Sequence, residues 1–147
     1  ALEFVLMDAA LPVIVAGTSG REDGPVLIAW DGSEQAARAV RGHAELIERL
    51  GHVAIAQNRK DVKDKGRGDA DEPGSLEAWL KDRGVASEIH AFEGKVGEGL
   101  LAIADKLGAE MIVAGAYGHS RTGEFFFGGV TRTLMTAKNV PALALCH

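Results

Sequence analysis

The chain has 147 residues, 46% of them hydrophobic and 25% charged, with a formal net charge of −5 at pH 7; this is the size and composition of one globular domain that buries its own core. The acidic balance and the lack of any Lys/Arg stripe argue against nucleic acid as a partner. No stretch reaches the roughly 18 to 20 apolar residues that span a bilayer, and residues 1–16 do not read as a secretory signal, so no membrane is expected.

The single cysteine, Cys146, cannot form an intrachain disulfide, which points to a reducing, cytoplasmic compartment. At the N-terminus, Leu6-Met-Asp-Ala-Ala-Leu-Pro-Val-Ile-Val-Ala16 resembles Leu134-Met-Thr-Ala-Lys-Asn-Val-Pro-Ala-Leu-Ala144. Both read as a helix end, a proline and a strand, and such self-similarity signals a repeat. Residues 1–16 are therefore expected to be the terminal helix and strand of a preceding repeat, 17–24 a flexible linker, and 25–147 the domain proper. Pro12–Ala16 should then lie antiparallel beside Pro141–Leu145, either within this chain or exchanged with a second copy.

Pro25–Trp30 is a buried-type strand run, followed at once by Asp31-Gly-Ser-Glu34. Asp31 or Ser33 can accept a hydrogen bond from a free N–H of the next helix, and Glu34 suits its positive end. Ala36, Val40, Ala44, Ile47 and Leu50 share one face of a single predicted helix that stops at Gly51. His52–Ala56 is a second strand. Asn58–Glu72 carries five basic and five acidic side chains and almost nothing to bury, which predicts a loop. Its Arg67-Gly68-Asp69 tripeptide is read as chance. A short helix around Leu76, Trp79 and Leu80 follows, then a third strand at Glu88–Phe92. Val96, Leu100, Ile103 and Leu107 give a helix closed by Gly108, and Glu110–Ala114 a fourth strand buried on both faces. Val130, Leu134 and Ala137 give a last helix, and Pro141–Leu145 a last strand. Strands alternating with helices predict an α/β fold, a parallel sheet covered on both sides.

Gly115–Thr131, GAYGHSRTGEFFFGGVT, runs from the end of the fourth strand to the first turn of the last helix. Ligands of open parallel sheets sit at the carboxyl ends of the strands where the strand order reverses. Glycines let backbone N–H groups approach phosphate oxygens, and a helix start adds partial positive charge. Gly128, Gly129 and Val130 would supply those donors and Thr131 a hydroxyl, whereas Phe125–Phe127 are read as anchors on the core.

The spacing of Gly115, two residues, Gly118, nine residues, Gly128 resembles the Gly-x2-Gly-x9-Gly-(Ser/Thr) nucleotide motif of the universal stress protein family. The AWDGSEQAARAV entry, the element order and the closing PALAL strand resemble it too, over residues 25–147. The resemblance implies an open five-stranded parallel sheet of order 3-2-1-4-5, here with an extra antiparallel N-terminal edge strand. It implies ATP or AMP, with or without Mg, as the ligand. Asp31 and the backbone at Ala29 and Trp30 would flank the adenine or ribose, and Asn58 would border the base. Gly115, Gly118, Gly128, Gly129, Val130 and Thr131 would line the ribose and phosphates. It also implies pairing through the final strand, as a homodimer or as an intrachain pseudo-dimer. One departure is Gly129, where the motif has Ser or Thr.

Other chemical signals are weaker. Gly97-Glu-Gly99-Leu-Leu-Ala102 satisfies a dinucleotide fingerprint formally but falls inside a helix. Gly118-His-Ser120-Arg-Thr122 lacks the last glycine of a nucleophile elbow. The five histidines show no paired metal spacing, and His119 is read as a solvated loop residue. No catalytic residue or metal ligand is assigned, and an enzyme is not expected. The readings that remain are a nucleotide-binding regulatory module acting through assembly or partner binding, and a non-nucleotide interaction protein of the same fold working through its dimer surface.

Overall fold

The computed structural model describes residue 9 and residues 11–59, 73–116 and 130–147; for residues 73, 130 and 131 only the backbone is described. The elements in chain order are β1 (Val13–Val15), β2 (Val26–Ala29), α1 (Glu34–Gly42), α2 (Ala44–Leu50), β3 (His52–Asn58), α3 (Pro73–Asp82), β4 (Ala86–Phe92), α4 (Val96–Leu107), β5 (Met111–Gly115), α5 (Val130–Thr136) and β6 (Ala142–Cys146). The six strands form one sheet of order β1-β6-β5-β2-β3-β4. All neighbours from β6 to β4 pair in parallel. Counted without β1, the parallel strands run 3-2-1-4-5 from the β4 edge, as expected.

Period-two alternation along β2 divides the core into two layers. Val26, Ile28 and Trp30 face one side, packed with Ala36, Val40, Ile47, Leu76 and Leu80 of α1, α2 and α3. Leu27 and Ala29 face the other, toward Leu100, Ala104 and Leu134 of α4 and α5. Helices on both faces explain why these strands read as continuous apolar runs.

Ser33 is the N-cap of α1, its Oγ accepting from Ala36 N–H at 3.1 Å. Gly51 and Gly108 end α2 and α4 in the left-handed conformation, at φ 72 and φ 64, where a side chain would be strained. The single helix expected over 34–50 is instead two, bent at His43, whose backbone leaves the helical region at φ −113, ψ 19. Gly42, a poor helix former, directly precedes the break, and a tertiary contact holds His43 there. His43 is buried, and its Nε2 lies 3.1 Å from the Leu145 carbonyl of β6, so Nε2 must carry the proton that it donates. The apolar face nonetheless stays continuous, because Val40 and Ile47 are both buried. Strand β3 runs two residues beyond its expected end, which takes Asn58 out of the loop and into the sheet.

Strand β1 pairs antiparallel with β6 in the register Val13↔Leu145, Ile14↔Ala144, Val15↔Leu143. The segment 17–24, expected to be a flexible linker, is bonded to the domain. Thr18 and Ser19 N–H both donate to the Val140 carbonyl, and Val140 N–H returns a bond to Thr18 Oγ1. Arg21 reaches the Ala104 carbonyl and pairs with Asp105. Gly17 and Gly24 pass too close to the Val140–Ala142 and Gly108–Glu110 backbones for a side chain. The polar composition that reads as a linker is used in these bonds. Residues 1–8 and the segments 60–72 and 117–129, with Arg67-Gly68-Asp69, Gly118, His119, Ser120, Phe125–Phe127, Gly128 and Gly129, lie outside the described residues.

The tight passage at Gly24 gives a test of this docking. A methyl group there would overlap the Gly108 carbonyl oxygen, whereas one at Gly74 meets nothing within 4 Å. Gly24→Ala is expected to lower unfolding free energy by about 1–3 kcal/mol, and Gly74→Ala, in helix α3, to leave it unchanged or slightly raised. Urea denaturation of the two variants makes the comparison; equal stabilities would mean that the segment is not held against α4 and β5.

Candidate functional site

The strand order reverses between β2 and β5: the chain leaves β2 toward β3 and returns from β4 to β5 on the other side. A crevice follows at the carboxyl ends of these strands, since the two connections depart in opposite directions. The exits from β2, β3, β4 and β5 form its described wall.

The exit from β2 is a tight turn. Trp30 N–H donates to the Ala56 carbonyl at 2.9 Å, extending the ladder one residue beyond the strand. Asp31 Oδ1 then accepts from Ser33 N–H at 2.8 Å, with Gly32 at φ 74 between them. This holds Asp31 at an exposed position while Ser33, 7% exposed, caps α1. The Trp30 side chain is buried in the α1–α3 layer, so only its backbone can face the crevice. Ala29 is half-buried on the opposite face of the sheet.

Asn58 closes the end of β3. It is 4% exposed and its Nδ2 donates to the Gly94 carbonyl at 2.8 Å, tying β3 to the β4–α4 turn. Its carboxamide thus has a structural task beside any contact with a base. Arg59, exposed, pairs with Glu93 at 3.5 Å, and Lys95 with Glu98 at 3.7 Å on the same rim.

Gly115 ends β5 directly beneath the start of α1: a side chain there would place its Cβ 2.8 Å from the Gln35 carbonyl carbon and 2.9 Å from Ala36 N. The first glycine of the motif is therefore required by helix–strand packing whether or not a ligand approaches it. Ala116 N–H donates to the Cys146 carbonyl at 2.8 Å, and the Ala116 carbonyl accepts from His147 Nδ1 at 3.0 Å, which fixes where β5 releases the chain. Val130 and Thr131 are the first residues of α5. The structure thus brings Asp31, the Trp30 backbone, Asn58 and Gly115 to one end of the sheet.

Gln35 and Gly94 are not singled out by sequence reasoning. Gln35 is buried beside Gly115 with its Oε1 lacking a hydrogen-bond partner. Gly94, at φ 92, lets the turn after β4 present its carbonyl to Asn58; its place between Glu93 and Lys95 after a strand run is the only signal of that turn. Gly97 and Gly99 of the dinucleotide-like string serve packing. A side chain at Gly97 would meet Thr133 of α5 at 2.9 Å, and one at Gly99 would overlap the Phe92 ring.

Cys146 is buried, and that burial raises its thiol pKa, opposed by the nearby Arg38 and Arg41 charges and by a backbone hydrogen bond at His147. A raised pKa keeps the thiol protonated at neutral pH and removes its nucleophilicity. Among the described residues, no cluster of three or more His, Cys, Asp and Glu could hold a metal ion, and no helix is long and apolar enough to cross a membrane.

A parallel sheet with helices on both faces, a capped aspartate turn leaving its central strand and a glycine leaving the next make this a doubly wound α/β domain. The sequence profile of the universal stress protein family matches residues 24–145, and the chain belongs to that family. No curated protein matches the sequence significantly.

Among solved structures, the chain is similar to a universal stress protein from Archaeoglobus fulgidus at 26% identity and a TM-score of 0.60, covering 84% of this chain and 98% of that one. A universal stress protein from Archaeoglobus fulgidus DSM 4304 superposes with a TM-score of 0.69 at 20% identity, covering 93% of this chain and 50% of that one. A third, from Archaeoglobus fulgidus in complex with dAMP, gives 0.57 at 22% identity, covering 84% and 98%. The last two likenesses are of fold.

Proposed function

We propose that this domain binds an adenine nucleotide, ATP or AMP, in the crevice at the ends of β2, β3 and β5. We propose further that it acts as a regulatory module through assembly or partner choice, not as an enzyme, in the cytoplasm. The observation that carries the reading is the turn that holds Asp31 at the switch point, placed by the Asp31–Ser33 and Ser33–Ala36 bonds. A carboxylate there is suited to accept from a ribose hydroxyl. The dAMP complex of a structural neighbour supports the ligand class. Gly115, Gly118, Gly128, Gly129 and the start of α5 at Val130–Thr131 would carry the phosphates, as the family motif implies. Mg, where present, would come with the phosphates of the nucleotide.

The β1–β6 ladder supports a role for the β6 edge in pairing, because an added antiparallel strand covers N–H and C=O groups that would otherwise be open. The 93% coverage of this chain within half of a longer universal stress protein chain is consistent with a tandem arrangement in which β1 belongs to a preceding repeat.

Calorimetric titration with ATP and AMP tests the reading. Saturable binding is expected, and no heat up to millimolar nucleotide would favour an interaction protein of this fold. A hydroxyl bonding a charged phosphate contributes about 1.5–3 kcal/mol, so Gly129→Ser should tighten ATP about ten- to a hundredfold. Several ATP turnovers per minute, lost on changing Asp31, would replace the regulatory reading with an enzymatic one.

A further inference from the structure

A second cavity lies away from the crevice, on the sheet face covered by α1 and α3. It has a volume of about 240 Å³, and its described lining includes Trp30, Val40, Arg41, Ser75, Leu76 and Trp79. We propose that it is a small-molecule site for a planar aromatic carboxylate, separate from the nucleotide crevice.

Size, surface and charge point to this ligand class together. An apolar cavity of about 150 Å³ accommodates benzene, so this one has room for two fused rings and a carboxylate. The apolar walls are two indoles and the side chains of Ala37, Val40 and Leu76. Trp30, Val40 and Leu76 are almost fully buried, at 7%, 3% and 4% exposure, so this wall is fixed by the core and not by surface rotamers. Trp79 is held from outside: the Arg83 guanidinium stacks over its ring at 4.0 Å from the centroid, and Arg83 is itself paired with Glu48 at 3.2 Å. Rigid aromatic walls favour a flat ring, because little side-chain entropy is lost when it enters.

The rim supplies the charge preference. Arg41 is the one charged residue of the described lining; it shares the carboxylate of Glu34 with Arg38, at 3.3 and 3.2 Å. Arg41 spends one guanidinium nitrogen, Nη2, on that contact. The planar fork of a guanidinium matches a carboxylate in two-point geometry. A neutral aromatic would gain the apolar walls alone, and an aromatic cation would meet like charge.

The chain contains two tryptophans, and both line the cavity. With ¹⁵N-labelled protein, each indole N–H gives one NMR signal, so the site reports on itself. Titration with 1-naphthoate is expected to shift both signals saturably. The neutral isostere 1-naphthamide should bind at least about tenfold more weakly, the size of one charge-assisted contact. Arg41→Gln should remove that preference. Val40→Phe, which places a ring in the cavity and narrows it, should weaken binding and reduce the shifts while circular dichroism and ATP titration remain those of the parent. Failure of ATP binding in the parent would leave this inference standing, because the naphthoate readout does not pass through the crevice. No saturable shift at millimolar naphthoate, equal affinity for the amide, competitive displacement by ATP, or unaltered binding by folded Val40→Phe would each overturn it.

Discussion

Ile28→Ala is expected to cost about 2–5 kcal/mol of unfolding free energy, the range for truncating a fully buried aliphatic side chain. Ile28 is 0% exposed in β2, paired with Ile55 on one side and Val113 on the other. It lies under the α1–α3 layer, where the pinned neighbours on both sides leave little room for collapse into the void. Set against a typical domain stability of about 5–15 kcal/mol, the loss should lower Tm on the order of 10 °C. Urea denaturation should show a lower midpoint with an unchanged slope. Ile14→Ala is the control, because Ile14 is 54% exposed on the edge strand. If the two variants lost similar amounts of stability, β2 would not be the centre of the core.

Asp31→Asn is expected to separate the structural task of this residue from the binding task proposed for it. The asparagine side-chain oxygen can still accept from Ser33 N–H, so the turn and the Ser33 cap should survive, with a stability close to that of the parent. The carboxylate charge is lost. A hydrogen bond to a charged group is worth about 1.5–3 kcal/mol, so adenine-nucleotide affinity should fall roughly ten- to a hundredfold. Asp31→Ala should lose affinity and, in addition, stability, because Ser33 N–H then has no acceptor in the turn. Parental affinity in a folded Asp31→Asn protein would remove Asp31 from the site.

Much of the architecture was legible without coordinates, because the relevant physics is local. Apolar runs alternating with 3.6-period segments imply buried parallel strands and crossover helices. Asp31-Gly-Ser-Glu34, Gly51 and Gly108 mark helix ends through bonds and left-handed turns that involve only near neighbours. The likeness between residues 6–16 and 134–144 led to the β1–β6 pairing before any register was known. The place of the candidate site followed from topology, as the point where strand order reverses.

What the sequence left open were features created by contacts between distant segments. At the break before α2, His43 is bonded to a carbonyl 102 residues away in β6, a contact that the unbroken apolar face of residues 36–50 does not announce. Asn58 has the composition of a loop residue, yet the Gly94 carbonyl across the sheet satisfies its amide and keeps it in β3. Residues 17–24 have linker chemistry, and only the proximity of Val140, Ala104 and Gly108 turns their polar groups and glycines into a docked strap. Trp30 follows from the sequence as a strand end near a ligand; strand alternation and the packing of α1 and α3 turn its indole into the wall of a different cavity. Periodicity and caps are encoded over one or two turns of chain, and the sequence alone determined those. Partners for buried polar groups and the shapes of cavities arise only when separate elements meet, so tertiary structure decided them.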